Sequence, residues 1–539
     1  MALRCSDPVY NSAEPKIIRP YCDDALCFNT STAGEQSPSF SVSDTKATFR
    51  IVIFVALGSV TYGYCASIIA TTLGQPSFIT YFELDRRSNA SDLIGATNGL
   101  FQVGGLLGTL SCMKSADWLG CRKALFAASI VTTIGGALQA GSVHIGMYIV
   151  ARLITGIGIG ALVTLVPLYQ SEVAPPKIRS LLVGIHGVMI CVGYTSASWV
   201  GVGFYFVQAG GAQWRLPLAI QAIWPTLLAM GVMFLPESPR WLLDRDCFDE
   251  AYLSFKRVRA ETSDSFLNDE DAIRADFAVL HSHILHEKQQ RLSTWDLFRL
   301  PEYRQRLGIG FIMMVGAQTT GTQIINNYGP LLYANLGFDT VRQLIIQAGW
   351  ISVSPFGNWL NALTMDRVGR VKMLIIEHGG RGAASAAVFF LFLHVALYAS
   401  TIDATSYIYA SEIFPTPVRA KGLSLSISGL FLSALALLQG APTGFANIGW
   451  KYYLVCIVAT SAVIFVIWWK FPETKMMSLE DIGALFTNSA EPVGEKESTK
   501  VRRNSLNEDM EKDIKMRRQE DCEKGGGGSH WEAACLIGD

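Results

Sequence analysis

The chain has 539 residues, half of them apolar and only 17% charged, with 44 basic against 45 acidic side chains and a mean hydropathy of +0.29. Soluble domains run at about 25% charged residues, so a chain this long and this poor in charge must hide much of its surface in lipid. The near-zero net charge excludes a nucleic-acid binder, which needs clustered Lys and Arg to replace phosphate counterions. The cysteines include no CxxC pair and no His partner at ligand spacing, and read as small core residues or free thiols rather than a zinc site or a disulfide frame.

The first 47 residues are polar and lack the apolar centre of a signal peptide, which predicts a cytoplasmic tail. Crossing a bilayer core of about 30 Å takes roughly 20 apolar helical residues. Such runs fall near 50–72, 93–113, 124–142, 146–169, 182–206 and 215–235, giving a six-helix half over 48–235. A charged connector with short helices follows over 236–306, too polar to cross. Apolar runs resume near 307–333, 344–364, 386–411, 420–440 and 450–471, forming a second half over 307–472 before a charged cytoplasmic tail, 473–539. The fold class is an all-α polytopic membrane protein.

Lys and Arg stay on the cytoplasmic side of short loops. Lys114, Arg122 and Lys123 follow span two, and Lys177 and Arg179 follow span four, so these loops and both tails are expected inside. The loop 73–92 is expected outside, where Asn89-Ala90-Ser91 is a glycosylation sequon.

The polar residues at span ends repeat between the halves. Asp117 to Lys123 (DWLGCRK) follows span two, and Asp366-Arg367-Val368-Gly369-Arg370 follows span eight. Glu172 to Arg179 (EVAPPKIR) after span four is matched by Glu412 to Arg419 (EIFPTPVR) after span ten. Acid-to-Arg segments recurring in register imply duplicated halves, as in many secondary transporters. Such charged loops can latch helix ends together and release them during alternating access.

These repeats, with Gly63-Tyr64, Arg152 to Gly160 (RLITGIGIG), Pro167 to Glu172 (PLYQSE), Trp214-Arg215-Leu216-Pro217, Pro236 to Arg240 (PESPR) and Phe471 to Lys475 (FPETK), resemble the sugar porter family of the major facilitator superfamily over roughly 48–486. The resemblance implies two six-helix halves, a central polar cavity and carrier transport with no cofactor. It implies a gating charge network of Asp117, Arg122, Arg152, Glu172, Arg179, Glu237, Arg240, Asp366, Arg367, Arg370, Glu412, Arg419 and Glu473.

The chain also departs from that pattern. Proton-coupled members continue Gly-Tyr-Asp in span one, and that Asp works against the span-four Arg; here the position is Cys65, a poor proton carrier. Arg152 must then find another partner or water, since an unpaired intramembrane charge is costly, and facilitated uniport is the expected mode. Asp403 in span ten is the candidate replacement acid. Of the amides implied for the solute cavity, several become Gly187, Leu430 and Ala434, leaving Gln318, Gln323, Asn326, Asn327, His186 and Tyr407 as candidate solute contacts. Gln318 and Gln323, five residues apart, face sides roughly 140° apart unless the helix breaks near Gly316 or Gly321. Amides suit neutral hydroxylated solutes, offering donors and acceptors without charge.

One span is short. Between Lys372 and the start of span ten remain residues 372–385, with Glu377, His378 and Arg381, about 21 Å of helix at 1.5 Å per residue. A damaged span nine is inferred, for a total of 11 or 12 helices. The expected protein is a monomeric, multi-pass carrier of the plasma membrane moving a sugar-like solute, and not an enzyme, because no nucleophile, base and orienting group converge. The alternatives are a proton-coupled symporter, a carrier of a non-sugar metabolite and a nutrient sensor on the same fold.

Overall fold

In the computed structural model, the residues described are 46–174, 179–207, 211–260, 295–335, 337–368, 387–415 and 418–472, with isolated positions between 273 and 285 and at 474 and 486. Among the described residues, eight helices are long and apolar enough to cross a membrane: Phe49–Leu73, Ala90–Leu119, Cys121–Ala140, Ile145–Val173, Leu181–Tyr205, Ala212–Val232, Arg419–Ile448 and Tyr452–Lys470. They are spans one to six, eleven and twelve of the sequence reading. Spans seven, eight and ten are helix pairs: Pro301–Thr319 with Thr322–Asn335, Thr340–Ser352 with Ser354–Val368, and Ala387–Thr401 with Asp403–Glu412. The short span nine falls at 372–385, outside the described residues.

The break in span seven has a local cause. Gly321, at φ +84°, adopts a backbone conformation that side chains resist, and it interrupts span seven between Gln318 and Gln323. Pro330, Pro355 and Pro442 each lack the N–H that would bond the carbonyl four residues earlier. A carbonyl freed inside a membrane needs a substitute donor. Gln347 donates to Asn326 O at 3.1 Å, Thr195 to Ile351 O at 3.4 Å and Tyr328 to Leu438 O at 2.8 Å. The amides and hydroxyls of neighbouring spans thus complete the backbone bonding that the prolines remove.

The internal repeat extends to tertiary contacts. Tyr169, three residues before Glu172, donates to the carbonyl of Pro236 at 2.8 Å; Tyr409, three before Glu412, donates to that of Pro472 at 3.0 Å. Each half ties the end of its fourth helix to the proline that leaves its sixth. Within the first half, spans one and five approach until Gly63 and Gly193 sit against each other's backbones, and a Cβ at either would meet main-chain atoms. Outward-facing side chains such as Phe465, Trp468 and Trp469 on span twelve are large, apolar and exposed, as a lipid-facing surface requires.

The halves meet at both ends. At the end that carries the connector, Val183 packs on Ile408, Gly184 on Ala362, and Lys421 Nζ lies 3.8 Å from Asp117 Oδ2. At the opposite end, Val202 shares a cluster with Leu344 and Ala348, and Gln439 fills the space beside Gly95 and Gly99. Cys65, Cys112, Cys121, Cys191 and Cys456 are buried free thiols, as the sequence suggested, whereas Cys247 is disulfide-bonded.

Candidate functional site

Between the two closed ends lies a continuous polar and aromatic layer. Span one contributes Ser59, Tyr62 and Ser67, and span five His186, Cys191, Tyr194 and Ser198, all buried. The successive spacings, three and five residues on span one and five, three and four on span five, spread each set over an arc of about 140° of its helix. Ser59 Oγ lies 2.8 Å from His186 Nδ1, and the His186 ring meets Tyr407 edge-on with centroids 4.9 Å apart. The Tyr62 ring lies beside that of Tyr194, with centroids 6.3 Å apart. Gln323 Nε2 donates to Tyr194 Oη at 3.3 Å, Asn327 Nδ2 to Gln323 O at 2.8 Å, and Ser67 Oγ to Asn326 Oδ1 at 3.2 Å. Five of the six candidate solute contacts, Gln323, Asn326, Asn327, His186 and Tyr407, therefore belong to one layer that crosses between halves. Gln318 is buried too, on the other side of the Gly321 break.

Several polar atoms here have no hydrogen-bond partner among the described residues: His186 Nε2, Gln318 Oε1, Asn326 Nδ2 and Asn358 Oδ1. Buried polar atoms are satisfied in the great majority of cases, and these four, all neutral, are among the described residues' exceptions, open to a further partner. A hydrogen bond to each is worth about 1 kcal/mol net, and each left unmade costs about 1–3 kcal/mol.

Asp403 begins the second helix of span ten and is buried. Its Oδ2 accepts from Asn358 Nδ2 at 2.9 Å and from Cys191 Sγ at 3.2 Å, so one carboxyl joins spans five, eight and ten. Gly187 leaves the room for this junction, since a Cβ there would meet Asn358 Oδ1 and Ala404.

Arg152 finds its partners in neutral acceptors. Its Nη1 donates to Cys65 O at 2.9 Å, Nε to Thr97 O at 3.4 Å and Nη2 to Asn98 Oδ1 at 3.4 Å, and the Phe101 ring lies 4.1 Å from the guanidinium carbon. No carboxylate among the described residues pairs with it. Carbonyl dipoles and the negative ring face stabilise the charge where an acid is missing.

At the connector end, Arg122 donates its backbone N–H to Glu237 Oε1 at 3.1 Å and its Nη1 to Leu235 O at 3.2 Å. Burial raises the Glu237 carboxyl above the ordinary range, against the opposing pull of the N–H groups of Arg122 and Ser238. Glu172 accepts from Cys121 Sγ at 3.6 Å, and the charges of Arg240 and Arg419 lie close enough to act on its carboxyl. Glu412 accepts from Thr474 at 3.4 Å. The acid of the first repeat thus faces an arginine of the second, an exchange that the separate repeats did not reveal. The side chains of Arg179, Asp366 and Arg367, and residues Arg370 and Glu473, lie outside the described residues. Asn89 is exposed and immediately precedes the helix of span two.

Sequence reasoning missed Tyr62, Tyr194, Cys191, Asn358, Ser59 and Ser67. Their signal was present as polar residues at helical spacing within apolar spans, and Tyr62 adjoins the Gly63-Tyr64 pair.

The chain matches the family described as "Sugar (and other) transporter" over residues 51–486. It belongs to that family. It is 31% identical over 454 residues to the MFS-type transporter criB of Aspergillus cristatus, covering 80% of this chain and 92% of that one. It is 25% identical over 482 residues to the sugar transporter STL1 of Saccharomyces cerevisiae, covering 84% and 83%. Among solved structures, the proton:xylose symporter XylE superposes with a TM-score of 0.71 at 21% identity, covering 82% of this chain and all of that one. The fold is the major facilitator fold of two six-helix halves, and the protein is a multi-pass membrane carrier, not an enzyme.

Proposed function

We propose that this sugar-family carrier moves a sugar or similar hydroxylated small solute down its gradient by alternating access, with Gln318, Gln323, Asn326, Asn327, His186 and Tyr407 as solute contacts. The observation that carries this reading is the set of unpartnered neutral atoms contributed by both halves, His186 Nε2 from one and Gln318 Oε1, Asn326 Nδ2 and Asn358 Oδ1 from the other. A solute bonding to both draws the halves together, and contacts at either end open in turn. At the connector end the gate is the charge network: Asp117 with Lys421, Glu172 with Arg240 and Arg419, and Arg122 on Glu237, joined by Arg179, Asp366, Arg367, Arg370, Glu412 and Glu473. Uniport is favoured because Arg152 is satisfied by neutral acceptors and has no need of a proton-carrying acid in span one. The protein acts as a monomer in the plasma membrane with both tails cytoplasmic and Asn89 glycosylated outside.

One observation favours a second reading: Asp403 is a buried carboxyl joining the halves through Cys191, the position a coupling acid would take in proton symport. Uptake of radiolabelled hexoses and polyols in transport-deficient cells, with and without a protonophore, separates the two. Uptake unaffected by the protonophore is expected; accumulation that it abolishes establishes symport, and no uptake of any hydroxylated solute despite surface expression overturns the carrier assignment.

A further inference from the structure

We infer, resting on the carrier reading above, that the solute presents a flat apolar ring face with only a few hydroxyls and no negative charge, a neutral phenol or cyclic alcohol rather than a hexose. The centre of the layer is made of rings. Tyr62 and Tyr194 stand 6.3 Å apart, tilted by 57°, and His186 and Tyr407 meet edge to face at 4.9 Å. Tyr62, Tyr194 and His186 belong to the first half and Tyr407 to the second, so separating the halves breaks the His186–Tyr407 contact and bares ring faces to the pathway. An aromatic contact of this kind is worth about 0.5–1.5 kcal/mol beyond its area, which a solute ring recovers by taking the vacated place.

Few polar atoms of the layer are left unpartnered, because its other amides and hydroxyls already bond one another. The unpartnered atoms His186 Nε2, Gln318 Oε1, Asn326 Nδ2 and Asn358 Oδ1 match a few hydroxyls. A solute with a hydroxyl on nearly every ring carbon would bury several without partners, at about 1–3 kcal/mol each. Charge narrows the class further. Asp403 lies close enough for its carboxyl to act electrostatically on Tyr62, Tyr194 and Tyr407, while the guanidinium of Arg152 is taken up by carbonyls and the Phe101 ring. An anionic solute would meet repulsion, with no counter-ion beside it among the described residues of the layer other than the engaged Arg152.

The test uses the full-length protein, purified in detergent and in proteoliposomes, with three probes: 4-hydroxybenzyl alcohol, myo-inositol and D-glucose. Ligand binding raises the unfolding temperature in proportion to occupancy. The aromatic alcohol is expected to reach half-maximal stabilisation at about ten-fold lower concentration than D-glucose. Tyr407→Leu should lose most of that preference and Tyr407→Phe, which keeps the ring, distinctly less. The Phe variant also controls for misfolding. Stronger stabilisation by D-glucose or myo-inositol, equal responses of the Leu and Phe variants, or no response to 4-hydroxybenzyl alcohol overturns the inference. Glucose counterflow in proteoliposomes that the aromatic alcohol fails to inhibit overturns the ring preference alone; absence of counterflow with every probe overturns the carrier reading itself.

Discussion

Gln323 holds Tyr194 through its amide N–H groups and accepts from Asn327, so it orders two residues of the central layer at once. Gln323→Leu is expected to raise the KM for uptake about ten-fold while surface expression stays at the wild-type level, because a lost hydrogen bond and an orphaned partner together cost about 1–2 kcal/mol. Asp403 gives a sharper contrast. Its hydrogen bonds to Cys191 and Asn358 are local, and in a uniporter an amide of the same shape serves. Uptake by Asp403→Asn should therefore remain unaffected by a protonophore and flat across the acid range; a variant that still equilibrates the solute but can no longer concentrate it would assign the coupling proton to this carboxyl.

Prolines within the spans shape the architecture at the level of elements. Each removes one backbone bond, and a side chain from a neighbouring span replaces it. Tyr328→Phe removes the donor to Leu438 O, and should lower stability by about 1 kcal/mol. Pro442→Ala restores the backbone donor to the same carbonyl. In the double variant the tyrosine hydroxyl becomes nearly redundant, so thermal unfolding of the four proteins should show strong non-additivity. Additive effects would mean that the proline does not create the need for Tyr328. Gly321 carries the other break, and Gly321→Ala at φ +84° should cost about 1–2 kcal/mol, read as a lower unfolding temperature and a shifted Gln323.

For the whole molecule, the two halves close on each other at both ends, and the clasp nearest the connector includes Asp117 with Lys421. A partly exposed pair is worth about 0–1 kcal/mol, enough to tilt a balance between states but not to hold a fold. Asp117→Lys should favour opening at that end and raise labelling of a cysteine introduced at Ala362, whereas Asp117→Lys combined with Lys421→Asp should return labelling to the wild-type level. Orientation has its own test. Removal of N-glycans should shift the mobility of the wild-type chain but not of Asn89→Gln; a shift retained by that variant would place the glycan elsewhere.

The sequence by itself determined the solvent, the number and place of most spans, the duplicated halves and the identity of the polar residues held within lipid. Those follow from composition, periodicity and repeated loops, all local along the chain. The break between Gln318 and Gln323 was also legible, because Gly321 can adopt a backbone conformation that other residues resist. Tertiary structure alone decided the partners. Arg152 reads as a charge lacking its acid until carbonyls from Cys65 and Thr97 are brought beside it. The repeat pattern leaves the partner of Glu172 open until Arg240 and Arg419, the latter from the other half, come within electrostatic reach of it. Tyr62, Tyr194 and Tyr407 are scattered over three spans, and their gathering into one ring cluster depends on how helices rotate and cross. Helix rotation is fixed by packing against neighbours hundreds of residues away, a relation that no local pattern encodes.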